Sequence, residues 1–475
     1  MGRDPNNSKQ RNIAMKRTKD VMAGKGSYFK RIMFFAFPLM LTGILQSLYN
    51  AADLVVVGRF EGELALAAVG STGSLTNLIL GLFMGLSVGA GVCVAHSIGA
   101  KHYDDVQKTL HTAIFTAMIL GVIIGVVGFI LAPQMLLLMD TPADVIDMAS
   151  LYIRIIFIGA PFAVVYNYAA SMLRASGDSK RPLIFLAISG AINVALNLLL
   201  VVVFHIGVAG VAIGTITSQA VSAVLALAYL RKTDSYLHFS FRKMRIHKDK
   251  LGKILAIGIP SGVQGTLFSF SNVILQSSIN SFGSAVMAGS SACANIEGFY
   301  YVAYHAFYDC ALTFVGQSVG AKKYGEIKKI VIASILNVLM FAVVLVTVGL
   351  VFREQLLGLY IPDNPEAMAA ATQRYMMLIV PYFLCGIMEI GSGTLRGMGR
   401  SMTSAVISLL CACLLRVLWI ATVFKAYPTP ECIYITYPLS WTLTFIIAFI
   451  FVIFAVKKEI KLRTFVSHRE RKPIE

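Results

Sequence analysis

Asp53 is preceded by Asn50, Tyr49 and Gln46 at spacings of three and four residues, which place all four on one face of a helix. A carboxylate beside amides and a phenol can hold a proton or Na⁺. It can equally be a helix-end acid reaching water. Asn193 and Asn197 stand one turn apart in another apolar stretch, and Thr215 in the next. Two amides offer carbonyl oxygens to a cation, but membrane Asn also bonds neighbouring helices. Thr hydroxyls often bond only their own backbone.

A second polar concentration follows. Glu297, Tyr301, Tyr304 and Tyr308 share a narrow helical arc, with His305 and Tyr300 on its flanks. An acid among aromatic rings suits an organic cation, through charge and cation–π contact. The alternative is interfacial tyrosines with Glu297 paired to an arginine. Glu389 is a further acid, and Arg416 is a candidate partner for either. The glycine-rich run from Gly81 to Gly99 lacks the GK[ST] of a phosphate loop and reads as a close-packing helix.

These residues sit in long uncharged runs, such as 114–132, 183–204, 330–352 and 435–456. Each is long enough to cross a hydrocarbon core of roughly 30 Å as a helix. The chain is 57% hydrophobic and 14% charged, unlike a soluble surface. Twelve helices are expected, at 33–56, 64–98, 110–132, 148–173, 183–204, 208–230, 254–281, 284–319, 329–352, 369–395, 402–424 and 435–456. The seven cysteines form no CxxC pair and read as small apolar side chains.

Charge supplies the topology. Of 41 Lys and Arg, 35 fall in the two tails and in alternate loops, while the opposite loops hold only Arg59, Arg353 and Lys425. This is the positive-inside pattern of an inner (plasma) membrane protein, with both termini cytoplasmic. The net charge of +17 therefore faces lipid headgroups, and no nucleic-acid motif accompanies it.

The two halves match at an offset near 221 residues. Pro38 pairs with Pro260, SIGAKHYDDVQK at 97–108 with SVGAKKYGEIKK at 318–329, Arg154–Pro161 with Arg374–Pro381, and LRASG at 173–177 with LRGMG at 395–399. Six crossings per half make the repeat parallel, with an axis along the membrane normal. The expected fold is an all-α polytopic membrane protein of two six-helix lobes. Its parts are a basic tail at 1–32, lobes at 33–230 and 254–456, a basic linker at 231–253 and a basic tail at 457–475.

Several segments together resemble the multidrug and toxic compound extrusion (MATE) transporters over residues 30–456. They are QSLYNAADLVVVGRF at 46–60, ALAAVG at 65–70, GLSVGAGVCVAHSIGA at 85–100, LRASGDSKRP at 173–182, the NxxxN of Asn193 and Asn197, and GVAGVAIGTITSQ at 207–219. The resemblance implies Na⁺- or H⁺-driven antiport of cationic or amphipathic drugs. It implies that Asp53 binds the coupling ion, and that the helix bends at Pro38 as the carboxylate changes state. In similar archaeal members the helix 5 motif is Asn-x-x-x-Asp. Asn193 matches its first position, and Asn197 departs from its second. The cluster then carries one negative charge at most, enough for one Na⁺ or one H⁺.

The expected function is thus a cation-coupled exporter of organic cations, acting as a monomer without a cofactor. A lipid-linked sugar flippase of similar architecture is the alternative, but its pyrophosphate calls for a more cationic cavity. A polytopic membrane enzyme is the remote alternative, and no metal-ligand, triad or paired-carboxylate pattern supports it.

Overall fold

A computed structural model describes residues 26–139, 141–361 and 364–470. The basic tail expected at 1–32 lies outside the described residues up to residue 25, as do residues 471–475 of the other tail.

All twelve expected helices are present. They are α1 (Tyr28–Phe60), α2 (Glu63–Gly99), α3 (Tyr103–Leu138), α4 (Ile146–Ile158 with Ala160–Ala175), α5 (Lys180–Val203) and α6 (Val208–Lys232). Then come α7 (Lys248–Asn280), α8 (Ser284–Gly320), α9 (Tyr324–Val351), α10 (Pro365–Ile379 with Phe383–Gly397), α11 (Ser401–Ala426) and α12 (Pro430–Leu462). Eight of them are long and apolar enough to cross a membrane unbroken, and the bent pairs α4 and α10 bring the number to ten.

Three departures from uniform helices have local causes. α4 and α10 each bend by 48°. The bends fall beside Pro161 and Pro381, whose rings remove a donor and crowd the preceding turn. α5 ends in a π-helical turn, Leu198–Val203, and α11 contains one at Leu409–Leu414. α10 starts with Asn364 accepting from the Ala367 N–H at 3.0 Å and with Pro365 in the first turn; both are standard helix-start chemistry.

The repeat is written into the backbone. Gly62 and Gly283 both turn with positive φ, at 86° and 96°. Gly177 and Gly399 do so at 90° and 77°, and Lys101 and Lys322 at 59° and 56°. A lysine rarely adopts the left-handed region. Finding it at matched positions means that the chain makes the same corner twice.

The helices form two compact units. Within the described residues the first covers 41–262 and the second 26–40 with 263–470. The boundaries fall two residues beyond Pro38 and Pro260, inside continuous helices. In the first unit the second segment of α4 packs on α2, α3 and α6, and α5 pairs with α6. A core of Val57, Val201, Val211 and Ala212 is sealed there by Tyr152. The glycine-rich run is close packing, because a Cβ on Gly85 would stand 2.2 Å from the Gly262 backbone. In the second unit α8 and α10 are the central pair, with α9 and α12 against them. Phe35 from the start of α1 packs edge-on against Phe314. All seven cysteines are free, and six are buried.

Candidate ion and substrate sites

α1, α5 and α6 bring Asp53, Asn193, Asn197 and Thr215 together. Asp53 is 8% exposed. The Asn197 amide donates to its Oδ1, and the Thr215 hydroxyl lies 3.2 Å from its Oδ2. Asn193 Nδ2 donates to Thr215 Oγ1 at 3.4 Å. The Thr215 hydroxyl also reaches the Val211 carbonyl, 2.9 Å away. One proton cannot serve both acceptors at once, so Thr215 can turn toward Asp53 or toward its own helix.

Two features set the chemistry of this cluster. Among the described residues no Lys, Arg or His lies within ion-pair distance of Asp53. The side-chain oxygens of Asn193 and Asn197 are buried and accept from no donor. A buried carbonyl oxygen without a partner costs about 1–3 kcal/mol. Here the amide nitrogens face Asp53 and Thr215; turned over, the two amides would add two hard oxygens to a carboxylate and a hydroxyl, a set with one negative charge.

The cluster opens into a cavity of about 470 Å³ inside the first unit. Gln46, Tyr49 and Asn50 line it, as the α1 stripe requires. So do Tyr166, Asn167 and Gln219, which sequence reasoning missed. The last two are amides within apolar helices, and the cost of a polar group in a membrane would have singled them out. The Tyr49 hydroxyl donates to the Ala187 carbonyl at 3.4 Å. Its ring rests where a Cβ on Gly190 would be, 1.8 Å from Cζ. Pro38 lies within α1 with no break in the helix.

The second unit's stripe comes apart. Tyr300, Tyr304 and Tyr308 are buried, whereas Tyr301 is exposed. Glu297 is bound by Arg374, whose third polar contact is Ser290 Oγ. Cys293 Sγ adds a contact to Glu297 at 3.1 Å. Glu389 meets His305 Nδ1 at 3.2 Å. His305 stacks between Tyr301 and Tyr308, at centroid distances of 5.4 and 4.8 Å. The expectation that Arg416 partners one of these acids is corrected. Its Nε donates to Ser440 Oγ at 3.1 Å and its Nη1 to Asn272 Oδ1 at 3.0 Å. Helical spacing says which residues share a face, not which neighbouring helix that face meets. That choice gave Glu297 to Arg374.

Comparison with known proteins agrees with this architecture. The MatE family model matches twice, over residues 38–199 and 260–421. The chain is 28% identical over 450 residues to the probable multidrug resistance protein YoeA of Bacillus subtilis, covering 92% of this chain and 96% of that protein. It is 23% identical over 386 residues to the multidrug export protein MepA of Staphylococcus aureus, covering 81% and 85%. A solved outward-facing multidrug resistance MATE family transporter shares the fold, with a TM-score of 0.87 at 22% identity over 94% of this chain and 99% of that one. Two tandem matches at the spacing of the internal repeat, on a twelve-helix membrane fold, make the chain a member of the MatE family of multidrug transporters.

Proposed function

We propose that the protein is a secondary active exporter in the plasma membrane, exchanging organic cations and amphipathic drugs for a monovalent cation held at Asp53. The observation that carries this reading is a buried carboxylate with no basic partner among the described residues, set in a polar cavity. An unpaired intramembrane acid is costly unless something cationic visits it. Asp53, Asn193, Asn197 and Thr215 are the residues that would hold the ion. The two amide oxygens have no partner, so a turn of either amide toward Asp53 would favour Na⁺. A proton on Asp53 is the second reading, favoured because Asp53 is the cluster's single carboxylate.

The cavity suits the drug for related reasons. Gln46, Asn50, Asn167 and Gln219 supply uncharged donors and acceptors, and Tyr49 and Tyr166 supply faces for flat rings. A cation entering at Asp53 from outside favours the state that releases drug. Drug binding from the cytoplasm favours release of the cation inward, because both act on one shared equilibrium. The basic loops favour cytoplasmic termini, and each site is built within a single chain, consistent with a monomer.

The test is ethidium or norfloxacin transport in proteoliposomes, with Na⁺ and H⁺ gradients imposed separately. One gradient should drive drug movement in wild type, and neither should in Asp53→Asn. Drug movement that ignores both gradients, or that survives Asp53→Asn, overturns the proposal. The gradient that works decides between the two ions.

A further inference from the structure

Arg416 is 1% exposed, and among the described residues no carboxylate lies within ion-pair distance of it. Its Nη2 is buried and donates to nothing. Its plane is held by the rings of Phe268 and Tyr437, at 5.1 and 4.7 Å. A buried guanidinium with an idle donor and no counter-charge calls for an explanation.

The internal repeat supplies one. At an offset of 222 residues, the spacing of the two family matches, Tyr437 answers to Thr215, Asn272 to Asn50 and Leu275 to Asp53. Arg416 itself answers to Val194 by count. However, the π-helical turn at Leu409–Leu414 precedes it in α11, whereas the one in α5 follows Asn197. A π-turn spends one more residue than an α-turn, which brings Arg416 into the place of Asn193. The contacts agree: Asn193 reaches Thr215, and Arg416 lies over Tyr437. The first lobe therefore has an unpaired carboxylate at this position. The second lobe has leucine in place of the acid, and an unpaired guanidinium.

We propose that Arg416 and Asn272 form a binding site for a small monovalent anion, either a free halide or the carboxylate of a zwitterionic or acidic substrate. Arg416 supplies charge and the free Nη2 donor. Asn272 accepts from Arg416 through Oδ1, which leaves its NH₂ end to donate to the anion. Asn272 is exposed, so the site lies one side chain below an accessible surface. Ser440 takes no part beyond steadying Nε, since its hydroxyl proton goes to the Tyr437 carbonyl at 2.8 Å.

The chain reports on this site itself. Its two tryptophans are Trp419, one turn after Arg416, and Trp441, whose ring centroid is 5.9 Å from that of Tyr437. Bromide titrated into the purified full-length protein, at constant ionic strength balanced with sulfate, should quench tryptophan fluorescence saturably. Arg416→Gln should leave only the linear collisional component. Asn272→Leu, which keeps the charge, should raise the half-saturating bromide concentration about tenfold and covers the case in which Arg416→Gln fails to fold. Acetate that competes with bromide assigns the site to carboxylates, and saturable quenching indifferent to acetate assigns it to free halide. Linear quenching in wild type overturns the proposal, as does saturable quenching unchanged by Arg416→Gln or by Asn272→Leu. The readout is binding, so it stands or falls independently of drug export and of the cation at Asp53.

Discussion

Arg374 grips Glu297 with two parallel bonds, Nη2 to Oε2 at 2.9 Å and Nε to Oε1 at 3.0 Å. The Arg374 side chain is buried, at 3% exposed, and that of Glu297 is largely covered, at 12%. This pair sets Glu297 apart from Asp53, which has no basic partner among the described residues. Glu297 already has its cation, covalently part of the chain, whereas the function proposed above has Asp53 take one from solution.

Removing one side of that pair leaves an uncompensated buried charge, which costs about 3–5 kcal/mol. Arg374→Met should therefore lower the thermal midpoint of the purified protein sharply. Arg374→Met with Glu297→Leu should recover most of the loss, since matched apolar replacement of a buried pair is often neutral. A double variant as unstable as the single one would show that the pair does more than neutralise itself.

Asn197 holds one oxygen of Asp53, and it is the position at which the chain departs from the archaeal pattern. Asn197→Ala should weaken the apparent affinity for the driving cation on the order of tenfold or more, as loss of a ligand's partner does at other metal sites. The check is drug transport measured against the concentration of whichever ion drives it. An unchanged half-saturating concentration would remove Asn197 from the site.

Gly190 leaves the space that the Tyr49 ring fills. Gly190→Ala should force the ring out of its seat, break its bond to the Ala187 carbonyl and reduce the rate of drug export several-fold. Adding Tyr49→Ala removes the collision, so the double variant should export no worse than Tyr49→Ala alone. Export by Gly190→Ala at the wild-type rate would mean that the Tyr49 seat does not shape the transport cavity.

At the start of α3, Asp105 lies 2.8 Å from Lys250 Nζ, which precedes the predicted span of α7. The lysine's hydrogen bond and charge hold the Asp105 carboxyl below its usual range. A carboxylate depressed in the folded state stabilises it at neutral pH, and that contribution is lost as pH falls through the lowered value, below about 4. Asp105 is partly exposed, so the effect is about 0.2–1 kcal/mol. Lys250→Met should lower the thermal midpoint slightly at pH 7, by a margin that narrows by pH 3. An equal difference at both pH values would assign the loss to packing of the lysine stem.

The twelve helices and the twofold repeat were legible in the residues alone, and the basic loops carry the proposed orientation. Apolar runs report solvent, basic loops report sidedness, and a duplicated string reports a duplicated structure; all three are local or additive properties. The α1 stripe was legible too, because helical periodicity puts Gln46, Tyr49, Asn50 and Asp53 on one face whatever surrounds them. The tertiary structure decided partnership. Asp53 is joined to Asn197 across 144 residues and to Thr215 across 162, and Arg374 to Glu297 across 77. Such pairings depend on how helices rotate against one another, and one residue of π-helical turn is enough to change which side chain faces inward. That rotation left the carboxylate of one lobe and the guanidinium of the other unpaired, a difference that the residue list contains but does not arrange.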